Sequence, residues 1–431
     1  MRARFELEGL HDDHRERAVL VGVDRSRQDW PIEESLAELE RLSDTAGCET
    51  LARIVQRREK PNPRTFIGKG KAEEITSLVE ELDAEVVLFD DDLTPSQQAN
   101  LEDLIPGTRI LDRTALILEI FAMHAESREG KLQVELAKLE YVLPRLRGMW
   151  GHLEAERLGG GRGARFGAGE SQLEVDRRLT RRRIADLRRD LKQVSSARET
   201  QRKSRAESGV FRIVLVGYTN AGKSTLLNAM TGTDVLVEDM LFATLDSTTR
   251  RLTLPEGREI TVTDTVGFIN KLPHGLVEAF KSTLDEVRDA DLLLHVVDGS
   301  HPQAEPQMAA VEEVLSEIGA HRTRRLLVVN KSDAMDDGDR ITFERLHPRA
   351  VIVSAQDEVD LDKLIERIGR ESAHGSITIS VLVPYTRGEM VQLAHEKTHV
   401  VSESHTAEGT ALMLRVSESL AARFEEFRQE A

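Results

Sequence analysis

Residues Gly217-Tyr218-Thr219-Asn220-Ala221-Gly222-Lys223-Ser224 follow the pattern G-x-x-x-x-G-K-[ST], a spacing suited to holding a polyphosphate. Glycines let backbone N–H groups approach phosphate oxygens at a helix start, a lysine bridges the β- and γ-phosphates, and a serine hydroxyl ligates Mg²⁺. Both flanks agree with that use. The run Arg212-Ile213-Val214-Leu215-Val216 reads as a strand, and residues 225–230 read as a helix. Lys223 is thus a candidate catalytic cation and Ser224 a candidate metal ligand.

Asp264-Thr265-Val266-Gly267 matches D-x-x-G at the end of a strand-like run, 259–263. Alone this pattern should occur about once or twice by chance in a chain of this length. Downstream of the phosphate loop it acquires meaning: Asp264 would hold a magnesium-bound water, and the Gly267 N–H would sense a γ-phosphate. Between the two lies Phe242-Ala243-Thr244-Leu245-Asp246, in a stretch without clear period. A switch threonine closing on Mg²⁺ and γ-phosphate belongs here, and Thr244 is the choice. The base is addressed by Asn330-Lys331-Ser332-Asp333, after strand-like 325–329. An aspartate can accept from guanine N1 and N2, which adenine does not offer, and such bidentate reading is worth about 1–3 kcal/mol. Ser354-Ala355-Gln356, after a further strand, offers a backbone donor for guanine O6.

The motif order points to GTP and GDP as ligands, Mg²⁺ as cofactor, and Lys223, Thr244 and Gly267 as the catalytic set. Phe268 stands where a water-orienting glutamine occurs in Ras-like proteins, and a phenyl ring cannot do that work. Intrinsic hydrolysis is therefore expected to be slow. His295, inside the apolar run 292–297, reads as core.

The elements that position these residues predict an α/β, multi-domain chain. Residues 1–125 alternate strand-like runs (17–23, 85–89) with helical ones (35–42, 72–82), giving a small α/β domain with parallel strands. Within it, Phe66–Lys71 reads as a helix-entry turn and Asp90-Asp91-Asp92 as a solvated loop, rather than anion or metal sites. Residues 126–206 hold two stretches with helical period, Leu132, Leu136, Leu139, Leu143, Leu146 and, more loosely, Leu173, Leu179, Ile184, Leu187, Leu191, Val194. Between them lies a glycine-rich stretch, 159–169, with Arg162, Arg165 and Phe166. The expectation is an antiparallel helical hairpin with an RNA- or partner-contacting tip, then a polar linker from Arg198 to Gly209. Residues 207–373 form the nucleotide-binding domain, a parallel sheet with helices on both faces, and 374–431 a small α+β domain.

Composition bounds the rest. At 431 residues several domains are expected, and 39% hydrophobic with 31% charged residues fits a globular protein. Cys48 is the single cysteine, so no intramolecular disulfide forms. No apolar run approaches the roughly 18 residues that span a bilayer, and the N-terminus is too charged for a signal peptide. A cytoplasmic monomer without a membrane partner is expected. The formal charge of −17 opposes wholesale nucleic-acid binding, yet 145–205 carries 17 Lys and Arg against 8 Asp and Glu.

With these motifs in hand the chain resembles the HflX family of ribosome-associated GTPases. The resemblance rests on Phe66–Lys71, Gly169–Glu174, Leu241–Asp246, Asp264–Phe268 and Leu272–Lys281. Ala168 departs from the family's usual proline. The resemblance implies binding to the large ribosomal subunit and its RNA, GTP hydrolysis stimulated there, and dissociation or rescue of stalled or idle ribosomes by a hairpin loop that approaches the peptidyl-transferase centre. The alternative is a nucleotide-regulated RNA-modifying or metabolic enzyme with chemistry in the N-terminal domain, for which no nucleophile–base or metal-ligand spacing is present.

Overall fold

The computed structural model describes residues 15–25, 30–146, 172–206, 210–233, 240–242, 244–271, 273, 276, 281–373 and 376–429. The glycine-rich tip 159–169, Ala168, Ala243 and much of the matching stretch 272–281 lie outside them. The chain divides into two compact units, one of residues 1–190 with 271–279, the other of 191–270 with 280–431.

The first unit is built on a parallel sheet in the order β2-β1-β3-β4. Its strands are β1 (Glu16–Asp24), β2 (Cys48–Arg57), β3 (Val86–Phe89) and β4 (Arg109–Asp112). Helices α1 (Ile32–Thr45), α2 (Lys69–Leu82), α3 (Pro95–Leu104) and α4 (Arg113–His124) connect or follow them. Val19, Val21, Val87 and Phe89 form part of the core with Ile67, Ile75 and Leu101. Side-chain caps fix helix starts: Thr94 and Gln97 form a reciprocal box with Pro95 in the first turn, and Asp112 accepts from the Ala115 N–H at 2.8 Å. Such caps contribute about 1 kcal/mol each. Phe66–Lys71 is the helix-entry turn expected of it, with Gly68 as the N-cap of α2.

Of Asp90–Asp92, expected as a solvated loop, only Asp92 is exposed, and Asp90 and Asp91 are buried. Asp90 is fully buried and its carboxylate accepts from Arg113 Nη1 at 2.9 Å, Ser35 Oγ at 2.7 Å and Lys271 Nζ at 2.6 Å. Arg113, itself buried, also pairs with buried Glu38 at 2.9 Å. Asp91 meets Lys271 at 3.1 Å and Arg25 at 3.3 Å, and Asp92 takes the Thr114 hydroxyl. The acid run is the centre of a buried ion network, because burial of a charge is tolerated only when it is paired.

Two helices complete the described middle region, α5 (Arg128–Val142) and α6 (Gln172–Ala206). The periodic stripe through Leu146 overstates α5, whose regular hydrogen bonding stops before Pro144, a residue without an N–H to donate. Arg183 pairs with Glu135 and Arg188 with Glu140, each at 2.7 Å. Partners advance in the same direction along both helices, so α5 and α6 run parallel, not antiparallel. Leu179, assigned to the apolar stripe, is 56% exposed. The supposed linker from Arg198 is helical through Ala206, because its Ala, Arg, Glu, Gln and Lys residues are strong helix formers and a polar composition does not by itself make coil.

The second unit contains a six-stranded sheet, β10-β9-β8-β5-β7-β6. Five strands are parallel, namely β5 (Phe211–Gly217), β7 (Glu259–Asp264), β8 (Leu292–Asp298), β9 (Arg325–Asn330) and β10 (Val351–Ile352). The sixth, β6 (Thr248–Thr253), is antiparallel to β7 and occupies the edge, in a stretch without clear strand period. Helices α7 (Lys223–Thr231), α8 (Lys281–Arg288), α9 (Ala304–Glu317), α10 (Asp337–Leu346) and α11 (Glu358–Ala373) accompany it. Every residue of β8 is buried, as a central parallel strand requires, and His295 lies within it. Leu215, Val262, Leu294 and Val328 pack with Leu226 and Leu364 into one core. The last residues form an antiparallel sheet, β11 (Ser376–Val383), β13 (Thr410–Ser417) and β12 (His399–His405), with α12 (Gly388–Lys397). Among the described residues no helix is long and apolar enough to cross a membrane.

Candidate nucleotide site

The phosphate loop leaves β5 at Gly217 and enters α7 at Lys223. A Cβ on Gly217 would lie 2.2 Å from the Val296 carbonyl oxygen, and one on Gly222, at φ +86°, 2.3 Å from Asn330 Nδ2. Neither position admits a side chain. Lys223 is buried, donating from Nζ to the carbonyls of Tyr218 (2.8 Å) and Gly217 (3.3 Å). Burial brings its ammonium down to about 8, against the opposing pull of Asp264. A desolvated cation in a loop of backbone dipoles is poised for an anion.

D-x-x-G lies against this loop. The Phe268 N–H donates to the Gly217 carbonyl (3.0 Å), and the Thr219 N–H to the Phe268 carbonyl (2.7 Å). A Cβ on Gly267 would come within 2.8 Å of Thr219 Cα and 3.0 Å of Lys223 Nζ, so only glycine brings its backbone this close. The Phe268 ring is 1% exposed and serves the core.

Three oxygens converge beside Lys223. Ser224 Oγ donates to Asp264 Oδ2 at 2.6 Å, Thr244 Oγ1 donates to the same oxygen at 3.2 Å, and the two hydroxyls are 2.9 Å apart. The other carboxylate oxygen, Asp264 Oδ1, is buried and has no hydrogen-bond partner among the described residues. Burial pushes this carboxyl up, while Lys223, Ser224 and Thr244 pull it down. Two hydroxyls and a half-satisfied carboxylate form a donor set that suits a hard, oxygen-seeking cation such as Mg²⁺.

The loops expected to address the base follow β9 and β10. Asn330 is a clamp: its Nδ2 donates to the Ala221 carbonyl (2.9 Å), and its Oδ1 accepts from the Ala355 N–H (3.2 Å). Lys331, at φ +60°, pairs with Asp298 at 2.8 Å. Asp333 sits exposed in a short 3₁₀ turn, Ser332–Ala334. Ser354 is buried, with its Oγ accepting from the Gln356 N–H at 3.2 Å. All four loops lie at the carboxyl ends of neighbouring parallel strands, where open α/β sheets bind ligands.

Some candidates form the wall rather than the contact surface. The side chains of Phe242, Leu245, Val266 and Thr265 are buried, and Thr265 Oγ1 donates to the Leu215 carbonyl at 2.7 Å. Tyr218 is buried too, its hydroxyl accepting from the Asn270 N–H at 2.6 Å. Asp246 is half-buried. Ala243 lies outside the described residues. Sequence reading missed Asp298 and Asp360, two carboxylates that tie the base loops; isolated acids near a strand end and in a first helical turn carry no signal of such a role.

Three families match the chain in succession: "GTP-binding GTPase N-terminal" over residues 33–122, "GTP-binding GTPase Middle Region" over 124–205, and "50S ribosome-binding GTPase" over 212–331. GTPase HflX of Caldanaerobacter subterraneus subsp. tengcongensis is 46% identical over 413 residues, covering 96% of this chain and 94% of that protein. GTPase HflX of Escherichia coli (strain K12) is 46% identical over 387 residues, covering 88% and 89%. Among solved structures, the SsGBP–GDP complex is 25% identical with a TM-score of 0.49, over 83% of this chain and 98% of that one. With relatives matched at this identity along nearly the whole length, the chain belongs to the HflX family and is a GTP-binding, GTP-hydrolysing protein.

Proposed function

We propose that this GTPase acts on the large ribosomal subunit, binding it and its RNA in the GTP state, dissociating or rescuing stalled or idle ribosomes, and leaving after hydrolysis. The observation that carries the proposal is the meeting of Ser224, Thr244 and Asp264 beside Lys223, which would couple the Thr244 segment to a bound Mg²⁺ and its γ-phosphate. The match of 212–331 to a family described as ribosome-binding supports the choice of partner.

In this reading the backbone of 217–224 cradles the phosphates, Lys223 neutralises the β- and γ-oxygens, and the Gly267 N–H reports the γ-phosphate. Ser224 and Thr244 would hold Mg²⁺, with Asp264 holding a water on it; when bound, the ion offsets phosphate charge. Asp333 reads guanine N1 and N2, and a backbone N–H of 354–356 reads O6. Phe268 is buried and supplies no group to orient water, so the chain alone hydrolyses slowly and its partner completes the site.

Phosphate release from GTP, measured alone and with purified large subunits, tests this. The expected result is acceleration of at least tenfold by the subunits and none by small subunits. Equal rates in all three conditions would refute the proposal.

A further inference from the structure

The two loops that address the base come from different strands, so something must hold them at a fixed separation. One link is main-chain: the Ser332 N–H donates to the Val353 carbonyl at 3.1 Å. A second is Asn330 Oδ1, which accepts from the Ala355 N–H at 3.2 Å. The third is a single carboxylate oxygen. Asp360 Oδ2, from the first turn of α11, accepts from the Ser354 N–H at 3.1 Å and from Ser332 Oγ at 3.4 Å. Its second oxygen receives Lys363 Nζ at 2.9 Å, and its own N–H is held by Asp357 Oδ1 at 3.2 Å. The side chain is only 18% exposed. One buttressed oxygen therefore touches the residue preceding Asp333 and the first residue of 354–356.

We infer that Asp360 is a positioning residue for recognition of the guanine 6-oxo group, holding the main chain of 354–356 relative to the carboxylate of Asp333. The inference rests on the reading of those two loops as the base site. Its logic is geometric. A backbone N–H aimed at O6 attracts guanine, and the same N–H opposes the 6-amino group of adenine; both effects need a loop that cannot turn away. Without the bridge the loop keeps its main-chain link and the Asn330 bond but loses the anchor at its first residue. Affinity for O6-bearing bases then falls and rejection of adenine weakens.

The test compares diphosphates differing only at the base. For Asp360→Ala, the Kd should rise about tenfold for GDP and by the same factor for IDP, which keeps O6 and lacks the 2-amino group. It should stay within twofold for 2-aminopurine riboside diphosphate, which has no O6. ADP should bind no worse, so the GDP-to-ADP preference falls about tenfold. Asp360→Asn keeps an oxygen for the Ser354 N–H and should restore GDP binding to within threefold of wild type. An equal loss for GDP, IDP, 2-aminopurine riboside diphosphate and ADP would overturn the inference, since a merely structural role weakens binding whatever the base. The underlying reading is checked separately. Asp333→Asn should shift preference toward xanthosine diphosphate, and if it does not, the base site lies elsewhere and fails independently of Asp360.

Discussion

Asp90 and Asp264 occupy equivalent places in two different sheets: each is a buried aspartate at the carboxyl end of a parallel strand, Asp90 following β3 and Asp264 ending β7. Their surroundings differ in one respect. Asp90 is saturated, with Arg113, Lys271 and Ser35 on its two oxygens. Asp264 has two hydroxyls on one oxygen and no partner among the described residues on the other. Position at a strand's carboxyl end is thus not enough to make a ligand site; an unmet valence is what separates them. His295 shows a third way to bury an ionisable group, by discarding the charge: burial lowers its pKa to about 4, with Glu312 opposing and Arg325 and Lys223 adding to the shift.

The largest expected effect comes from breaking the saturated cluster. Arg113→Ala leaves Asp90 with Lys271 and Ser35 but removes the buried cation that Asp90 and Glu38 share, which should cost about 3–5 kcal/mol of stability. Denaturant unfolding should show that loss while GDP affinity, measured on the folded fraction, is unchanged. A loss under 1 kcal/mol would mean the network is not closed as described.

His295 yields a pH signature of about 3 kcal/mol. The unfolded chain takes up a proton near 6.5 while the folded chain resists until about 4, so stability falls as pH drops through that window and levels off below it. Wild type should therefore lose that much more than His295→Gln between pH 7 and pH 4. Parallel urea curves for the two proteins across that range would remove His295 from the account.

Opening Asp264 should cost chemistry instead of stability. Asp264→Ala should cut GTP hydrolysis at least a hundredfold, about 2.7 kcal/mol, while the nucleotide-free melting temperature stays level or rises because a desolvated carboxyl is gone. A marked drop in melting temperature would make Asp264 a structural twin of Asp90.

How much of this was legible follows from where each residue lies. Central strands β1, β3, β5, β7, β8, β9 and β13 announced themselves as apolar runs. The strands that did not, β2, β4, β6 and β12, are all at sheet edges. An edge strand carries charge and polarity that blunt its period, as Arg250 and Arg251 do in β6 and His399, Ser402 and Glu403 in β12. The phosphate loop and base motifs were readable because their chemistry is local in sequence. Asp90's network and Asp360's bridge were not, since Arg113 and Lys271 come to Asp90, and Ser332 to Asp360, from distant elements.

Guanine preference is the smallest effect, set by single hydrogen bonds. Asp333→Asn should weaken GTP binding about tenfold and admit xanthosine nucleotides, whose 2-oxo group pairs with an amide. Competition binding would show it, and an unchanged order of preference would displace Asp333 from the base.

In the proposed function, the oxygens of Ser224, Thr244 and Asp264 would hold Mg²⁺ and, with the Gly267 N–H, make ribosome binding depend on the γ-phosphate. Pelleting through a sucrose cushion with purified large subunits tests it most directly. The protein should co-sediment with a non-hydrolysable GTP analogue and stay in the supernatant with GDP, and Thr244→Ala should abolish the difference. Equal co-sedimentation in both nucleotides, or a wild-type difference in Thr244→Ala, would contradict the account.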